Sequence, residues 1–147
     1  MVERQLRRRG ISDERVLVAM GAVPREAFVP ERSRSRAYLD SALPIGEGQT
    51  ISQPWIVAAI CQALELNGSE RVLEVGSGSG YSAAVLARLA AEVLGVERHE
   101  LLADGARLVL ASLGIGNVEL RVGDGSRGVP ERAPFEAIAV HATAPAP

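Results

Sequence analysis

"LEVGSGSGY", Leu73 to Tyr81, sits where the sequence changes period. Ahead of the glycines, "RVLEV", Arg71 to Val75, has the length and composition of a strand. Behind them, "GYSAAVLARLA" predicts a helix ending near Ala91. Glycines between a strand and a helix permit a tight turn and close approach of backbone to a ligand. The helix start adds free N–H groups and a positive dipole end. A polar ligand such as a nucleotide or an amino-acid-bearing nucleoside suits such a loop. Gly76, Gly78 and Gly80 space as GxGxG, which is not the GxGxxG dinucleotide fingerprint, and no GxxxxGK[ST] phosphate loop occurs. Alone, a glycine-rich turn is a weak signal, since a purely structural turn has the same composition.

Downstream, "EVLGVE", Glu92 to Glu97, predicts a second strand. "ELLADGARLVLASLG" predicts a helix with Gly105 as an internal cost and Gly114 as its stop. "NVELRVG" and "FEAIAV", the latter Phe135 to Val140, predict a third and a fourth strand. This alternation is the pattern of a parallel sheet covered on both faces. The loops after its first three strands share one carboxyl edge, where such sheets bind ligands. Glu97 stands at that edge, 21 residues after Gly76, where a carboxylate can accept from both ribose hydroxyls. Asp124, within "GDG" at Gly123 to Gly125, is placed to accept from an adenine amine, with glycines leaving room for the ring. Asp-Gly is also a common turn, so the signal lies in three suitable groups meeting on one edge.

Upstream, Pro54 to Leu66 predicts a helix with Ile56, Val57, Ile60 and Leu64 on its apolar face. Before it comes "GEGQTISQPW", Gly46 to Trp55, a loop in which Thr50 or Ser52 is suited to capping that helix. Residues 2–9 are charged and suited to beginning a helix. "GISDERVLVAM" offers Ser12 as an N-cap, with Val16, Leu17 and Met20 facing inward. Between Pro24 and Pro30 a short helical turn brings Phe28 inward. "SALPIG" reads as extended or turning, and the small, proline-rich "HATAPAP" at the end as no folded element.

Bulk properties bound the rest. The 147 residues suit one domain, and 47% hydrophobic residues with 3% aromatics imply a core of Val, Leu, Ile and Ala. The formal net charge of -2 gives no reason to expect nucleic acid as a global partner. All 16 basic residues are Arg, nine of them between Arg4 and Arg36, which reads as a solvated helix face or a contact patch. Cys61, the single cysteine, excludes an internal disulfide and reads as a buried small hydrophobe. No Cys/His set has metal-site spacing, so no metal is expected. No apolar run reaches membrane-spanning length and no signal peptide is evident, so a cytoplasmic location without membrane partners is expected.

The glycine loop and Glu97 resemble the first motif and the ribose-binding acid of class I S-adenosylmethionine-dependent methyltransferases, which have an α/β, Rossmann-like fold. Longer stretches narrow the resemblance: "MVERQLRRRGISDERVLVAMGAVPREAFVP", "AYLDSALPIGEGQTISQPWIVA", "VLEVGSGSGYSAAVLA" and "VGDGSRGVPERAPFEAIAV" are similar to the protein-L-isoaspartate (D-aspartate) O-methyltransferase family. The resemblance implies methyl transfer from S-adenosylmethionine to the free carboxylate of L-isoaspartyl, or D-aspartyl, residues in damaged proteins. The ester then closes to a succinimide, which hydrolyses in part to normal aspartate. It implies a helical N-terminal extension at 1–68 that carries the acceptor loop, and a cofactor-binding core at 69–147, packed as one domain. Glu74, Gly76, Ser77, Gly78, Ser79, Gly80, Glu97, Asp124 and Gly125 are then the expected cofactor-binding residues. Thr50, Ile51 and Ser52 line the acceptor site, Gln53 and Pro54 anchor the following helix, and Ser52 is the candidate catalytic hydroxyl. The reaction needs no general base, because a carboxylate is already ionised at pH 7. His99, a surface residue at a helix start, and His141 are not required as bases.

The sequence departs from the family in two respects. Members carry three further strands, in the order 3-2-1-4-5-7-6, so only 3-2-1-4 is expected here, a sheet truncated after its fourth strand. His141 stands where a small hydroxyl residue is commoner. Ile138 and Val140 are left on an open edge, which offers a surface for self-association. Reduced activity through a partly lost acceptor cleft is one consequence to expect. The alternatives are an inactive cofactor-binding or interaction module, or a methyltransferase with another acceptor such as RNA.

Overall fold

The computed structural model describes residues 1–141; residues 142–147, most of the tail expected to carry no folded element, lie outside them. His141, counted with that tail, instead continues the sheet, its N–H donating to Val75 O at 2.9 Å.

Short helical pieces fill the first forty residues. A π turn at Val2–Leu6 and a 3-10 turn at Arg7–Arg9 precede α1 (Glu14–Ala22). The N-cap of α1 is Asp13 rather than Ser12, because the Asp13 carboxylate accepts from Arg15 N–H and Val16 N–H. Gln62 Oε1 takes the Ser12 N–H instead, at 2.8 Å. The expected turn between the prolines is a 3-10 helix, Arg25–Phe28, and Phe28 is buried with its ring edge-on to Tyr81, centroids 5.7 Å apart. A second 3-10 helix, Glu31–Arg36, follows.

The stretch expected to be an extended piece and a loop is a β-hairpin. Strands β1 (Leu43–Gly46) and β2 (Gln49–Ile51) pair antiparallel, with Leu43 opposite Ile51 and Pro44 opposite Thr50. Glu47 and Gly48 turn it, both at positive φ (54° and 68°), as a two-residue hairpin turn requires. Helix α2 (Pro54–Leu64) follows with Pro54 in its first turn. Cys61 is buried on it, and burial pushes its thiol up to about 12, so it packs as a small apolar group.

The main sheet is parallel. It contains β3 (Arg71–Val75), β4 (Glu92–Glu97), β5 (Val118–Val122) and β6 (Ala137–Val140) in the order β5-β4-β3-β6. That is the 3-2-1-4 order that the family resemblance implied. Helix α3 (Tyr81–Ala87) links β3 to β4, and α4 (Glu100–Ser112) links β4 to β5. Helix α3 stops four residues short of the expected Ala91, because the chain turns through buried Leu89 and Ala90, and Ala91 N–H donates to Glu70 O to start β4.

Alternation along the strands sends Val72, Val93, Leu120 and Ala139 to one face, where residues of all four helices join them in a single apolar cluster. Leu73, Leu94 and Val96 point to the other face. There only Val129, with Val75 and Phe135, completes a small cluster. The expectation of helical cover on both faces is therefore corrected among the described residues: after β5 the chain forms two three-residue 3-10 turns rather than a helix. No helix among these residues is long and apolar enough to cross a membrane.

Candidate active site

The carboxyl ends of β3, β4, β5 and β6 open into one cavity of about 630 Å³, and the hairpin closes over its side. Thr50, Ile51 and Ser52 come from the hairpin and the link into α2. Gly76, Ser77, Gly78 and Ser79 come from the loop after β3, and Glu97 from the end of β4. Asp124 and Gly125 follow β5. These segments, distant in sequence, share one wall system because a parallel sheet aligns its loops on one edge.

Glu97 is the ordering element. Only 5% exposed, it accepts from Gly78 N–H through Oε1 and from His99 N–H through Oε2, both at 2.9 Å. Each carboxylate oxygen keeps one lone pair for a hydroxyl donor. Asp124 accepts from Ser126 N–H at 2.9 Å, and that bond, with the Ser126 hydroxyl, holds its carboxyl below the usual range. Gly125 is required by packing: a Cβ there would lie 2.6 Å from Val75 Cγ1.

Two expected cofactor-binding residues are not on the cavity wall. Glu74 is fully buried, because period-2 alternation sends it with Val72 to the helix-covered face of the sheet. Gly80 is a packing glycine: φ is +90°, and a Cβ would lie 2.9 Å from Ala106 Cβ on α4. Neither Thr50 nor Ser52 caps α2. Its N-cap is Gln53, with no side-chain cap bond, and Ser52 is instead held by its carbonyl, which accepts from Arg25 Nη2 at 2.8 Å.

The cavity also holds residues not picked out from the sequence as site residues, Ser82 and His141 among them, and His99, which is half-buried rather than a surface residue. Ser82 Oγ and His141 Nε2 share a hydrogen bond of 2.7 Å, and His141 Nε2 lies 3.5 Å from Glu74 Oε2. Burial pushes Glu74 up to about 7; the Ser82 and Ser77 hydroxyls oppose the rise, and Glu97 adds to it. Burial also lowers the pKa of His141. Both directions favour a neutral acid beside a neutral imidazole. The available signal for His141 was its place at the end of the fourth strand, on the edge already singled out. Among the described residues, no group of three His, Cys, Asp or Glu side chains is arranged to hold a metal ion.

The family model for protein-L-isoaspartate(D-aspartate) O-methyltransferase (PCMT) matches residues 1–147. The chain belongs to this family. It is 63% identical over 145 residues to Protein-L-isoaspartate O-methyltransferase 1 of Rhodopseudomonas palustris (strain HaA2), covering 99% of this chain and 59% of the relative. It is 66% identical over 140 residues to Protein-L-isoaspartate O-methyltransferase 2 of Anaeromyxobacter sp. (strain Fw109-5), covering 95% and 58%. The chain thus spans under two thirds of the length of these curated relatives. Among solved structures, a protein-L-isoaspartate O-methyltransferase superposes with a TM-score of 0.82 at 35% identity, covering 90% of this chain and 44% of the other. A Plasmodium falciparum structure described as a beta-aspartate methyltransferase (PCMT) in complex with S-adenosyl-L-homocysteine gives 0.77 at 29% identity, covering 93% and 70%. The family fold is the Rossmann-like class I methyltransferase fold with N-terminal helices, and the described chain has it.

Proposed function

We propose that this chain binds S-adenosylmethionine and directs its methyl group to the free carboxylate of L-isoaspartyl, and D-aspartyl, residues in damaged proteins. The observation that carries this reading is the meeting of the Thr50–Ser52 segment with the glycine loop, Glu97 and Asp124 around one cavity. The residues fit the cofactor. Glu97 has one lone pair free on each oxygen for the ribose hydroxyls, and Asp124 faces the same space as a base-amine acceptor.

When bound, S-adenosylmethionine supplies an electrophilic methyl on a sulfonium. An acceptor carboxylate oxygen attacks it; the new O–CH₃ bond forms as the S–CH₃ bond breaks, and the electron pair stays on sulfur. No proton moves, since the acceptor is already ionised at neutral pH. The chain's work is alignment and exclusion of water. Ser52 Oγ donates to one acceptor oxygen and leaves the other directed at the methyl. Ile51, buried on the hairpin, and Val57 on α2 give that half of the cavity an apolar wall.

Transfer of a labelled methyl from S-adenosylmethionine tests this, with an isoaspartyl peptide as acceptor and its aspartyl twin as control. Label on the isoaspartyl peptide alone, released by mild base as an ester's would be, is the expected outcome. Binding of S-adenosylhomocysteine without transfer favours the cofactor-binding module. Transfer to RNA but not to peptide overturns the acceptor, although Arg7 pairs with Glu3 and Glu14, and Arg9 with Asp40, which neutralises part of the basic cluster an RNA would need.

A further inference from the structure

Arg25 is the largest fully buried side chain of the described residues, and it is charged. Its guanidinium donates from Nε to Ala37 O at 2.6 Å and from Nη2 to Ser52 O at 2.8 Å, with Ser41 O at 3.5 Å. Its Cζ lies 4.9 Å from the centroid of the Tyr81 ring. Nη1 has no partner, and among the described residues no carboxylate lies within ion-pair distance. A buried cation with no carboxylate at ion-pair distance is costly; backbone carbonyls and the Tyr81 ring are its direct contacts, with Tyr38 and Asp40 adding longer-range attraction.

The two ends of this arrangement are what matter. Ser52 and Tyr81 both line the cavity, one in the hairpin's exit and one directly after the glycine loop. We propose that Arg25 is a positioning residue that fixes the acceptor wall at Ser52 against the cofactor wall at Tyr81. Held by its carbonyl, the Ser52 backbone is restrained, and with it the direction of its Cα–Cβ bond. A planar fork that donates to separated carbonyls while stacking on a ring is a task a lysine ammonium does not perform. Two short strands alone would leave β2 and its exit loosely placed. The identification of Ser52 as acceptor wall rests on the function proposed above; the clamp itself does not.

The test compares wild type, Arg25→Lys and Arg25→Met by amide hydrogen exchange, S-adenosylhomocysteine binding and methyl transfer to the isoaspartyl peptide. In Arg25→Lys, exchange over residues 49–53 is expected to rise roughly tenfold or more while β3 and β4 amides stay within about twofold. Turnover is expected to fall about a hundredfold, as for a misplacement near 1 Å, with S-adenosylhomocysteine affinity within about threefold. Ser52→Ala keeps the carbonyl and should leave exchange over 49–53 unchanged. Unaltered exchange at 49–53 in both Arg25 variants overturns the clamp. So does a rise shared equally by β3 and β4, which reports a fold-stability role. Wild type that transfers no methyl to the peptide overturns the acceptor reading, and the exchange pattern still decides the clamp.

Discussion

Two glutamates one strand apart show how little residue type says without its setting. Glu97 is nearly buried yet gives both oxygens to backbone N–H groups, whereas neither oxygen of fully buried Glu74 has a hydrogen-bond partner. An acid pushed up to about 7 binds a proton in the folded chain that the unfolded chain, near 4.5, has already lost. Its contribution to stability therefore falls as pH rises from about 4.5 to about 7 and is flat above. His141, lowered from 6.5, acts oppositely: below 6.5 the unfolded chain binds the extra proton, so its contribution rises toward that pH. Glu74→Gln should remove the falling limb and gain on the order of 3 kcal/mol relative to wild type between pH 4 and 8, read from urea midpoints. Parallel pH profiles for the two proteins would sink this. Ser52 makes the complementary case. Since it does not cap α2, Ser52→Ala should change stability by less than about 0.5 kcal/mol. Under the proposed function, in which Ser52 donates to a charged acceptor, removing that bond should lower kcat/KM for the isoaspartyl peptide by about 10- to 100-fold. A lower melting temperature with normal kcat/KM would assign it a structural role after all.

At the scale of elements, the glycines separate what a sequence can and cannot tell. Gly76 and Gly78 line the cavity, but Gly80 lets the chain pass close to Ala106 on α4, and the GxGxG spacing looks the same for either use. Gly95 gave no signal at all, lying inside an ordinary strand. A Cβ there would meet the Ser77 hydroxyl and lie 2.6 Å from Leu120 Cδ2. Gly95→Ala should therefore cost about 1–3 kcal/mol through overpacking and push the glycine loop outward. S-adenosylhomocysteine affinity, measured by calorimetry, should fall at least about tenfold with it; unchanged affinity would show that the loop absorbs a methyl. The β3–α3 junction was legible because the apolar period changes across it. The hairpin was not: its strands are three and four residues long, one contains Pro44, and its turn is Glu-Gly rather than the Asn-Gly or Asp-Gly that marks such turns. The consequence for the site is specific, since Ile51 is fixed by pairing with Leu43 and not by a flexible loop.

Across the whole molecule, the parallel sheet followed from the alternation of strands and helices, and its strand order from the family resemblance. The uneven cover of the sheet did not, since Val and Leu alternate alike whether a helix or a loop covers them. Helices crowd one face, while on the other Ile138 and Val140, each 56% exposed, stand beside Leu73 and Val75 along the cavity. Among the described residues β6 is also an edge strand, so its outer N–H and C=O groups have no ladder partner there beside that apolar face. Unpaired ladder groups next to exposed Ile and Val favour pairing with another copy. The 147-residue chain should therefore show concentration-dependent association by sedimentation velocity. Ile138→Lys should shift it toward monomer by placing a charge on the edge, with a stability change within about 0.5 kcal/mol because the site is exposed. S-adenosylhomocysteine should act in the same direction, because it would occupy the cavity that Ile138 and Val140 line. Association unaffected by either would place the contact elsewhere than on β6.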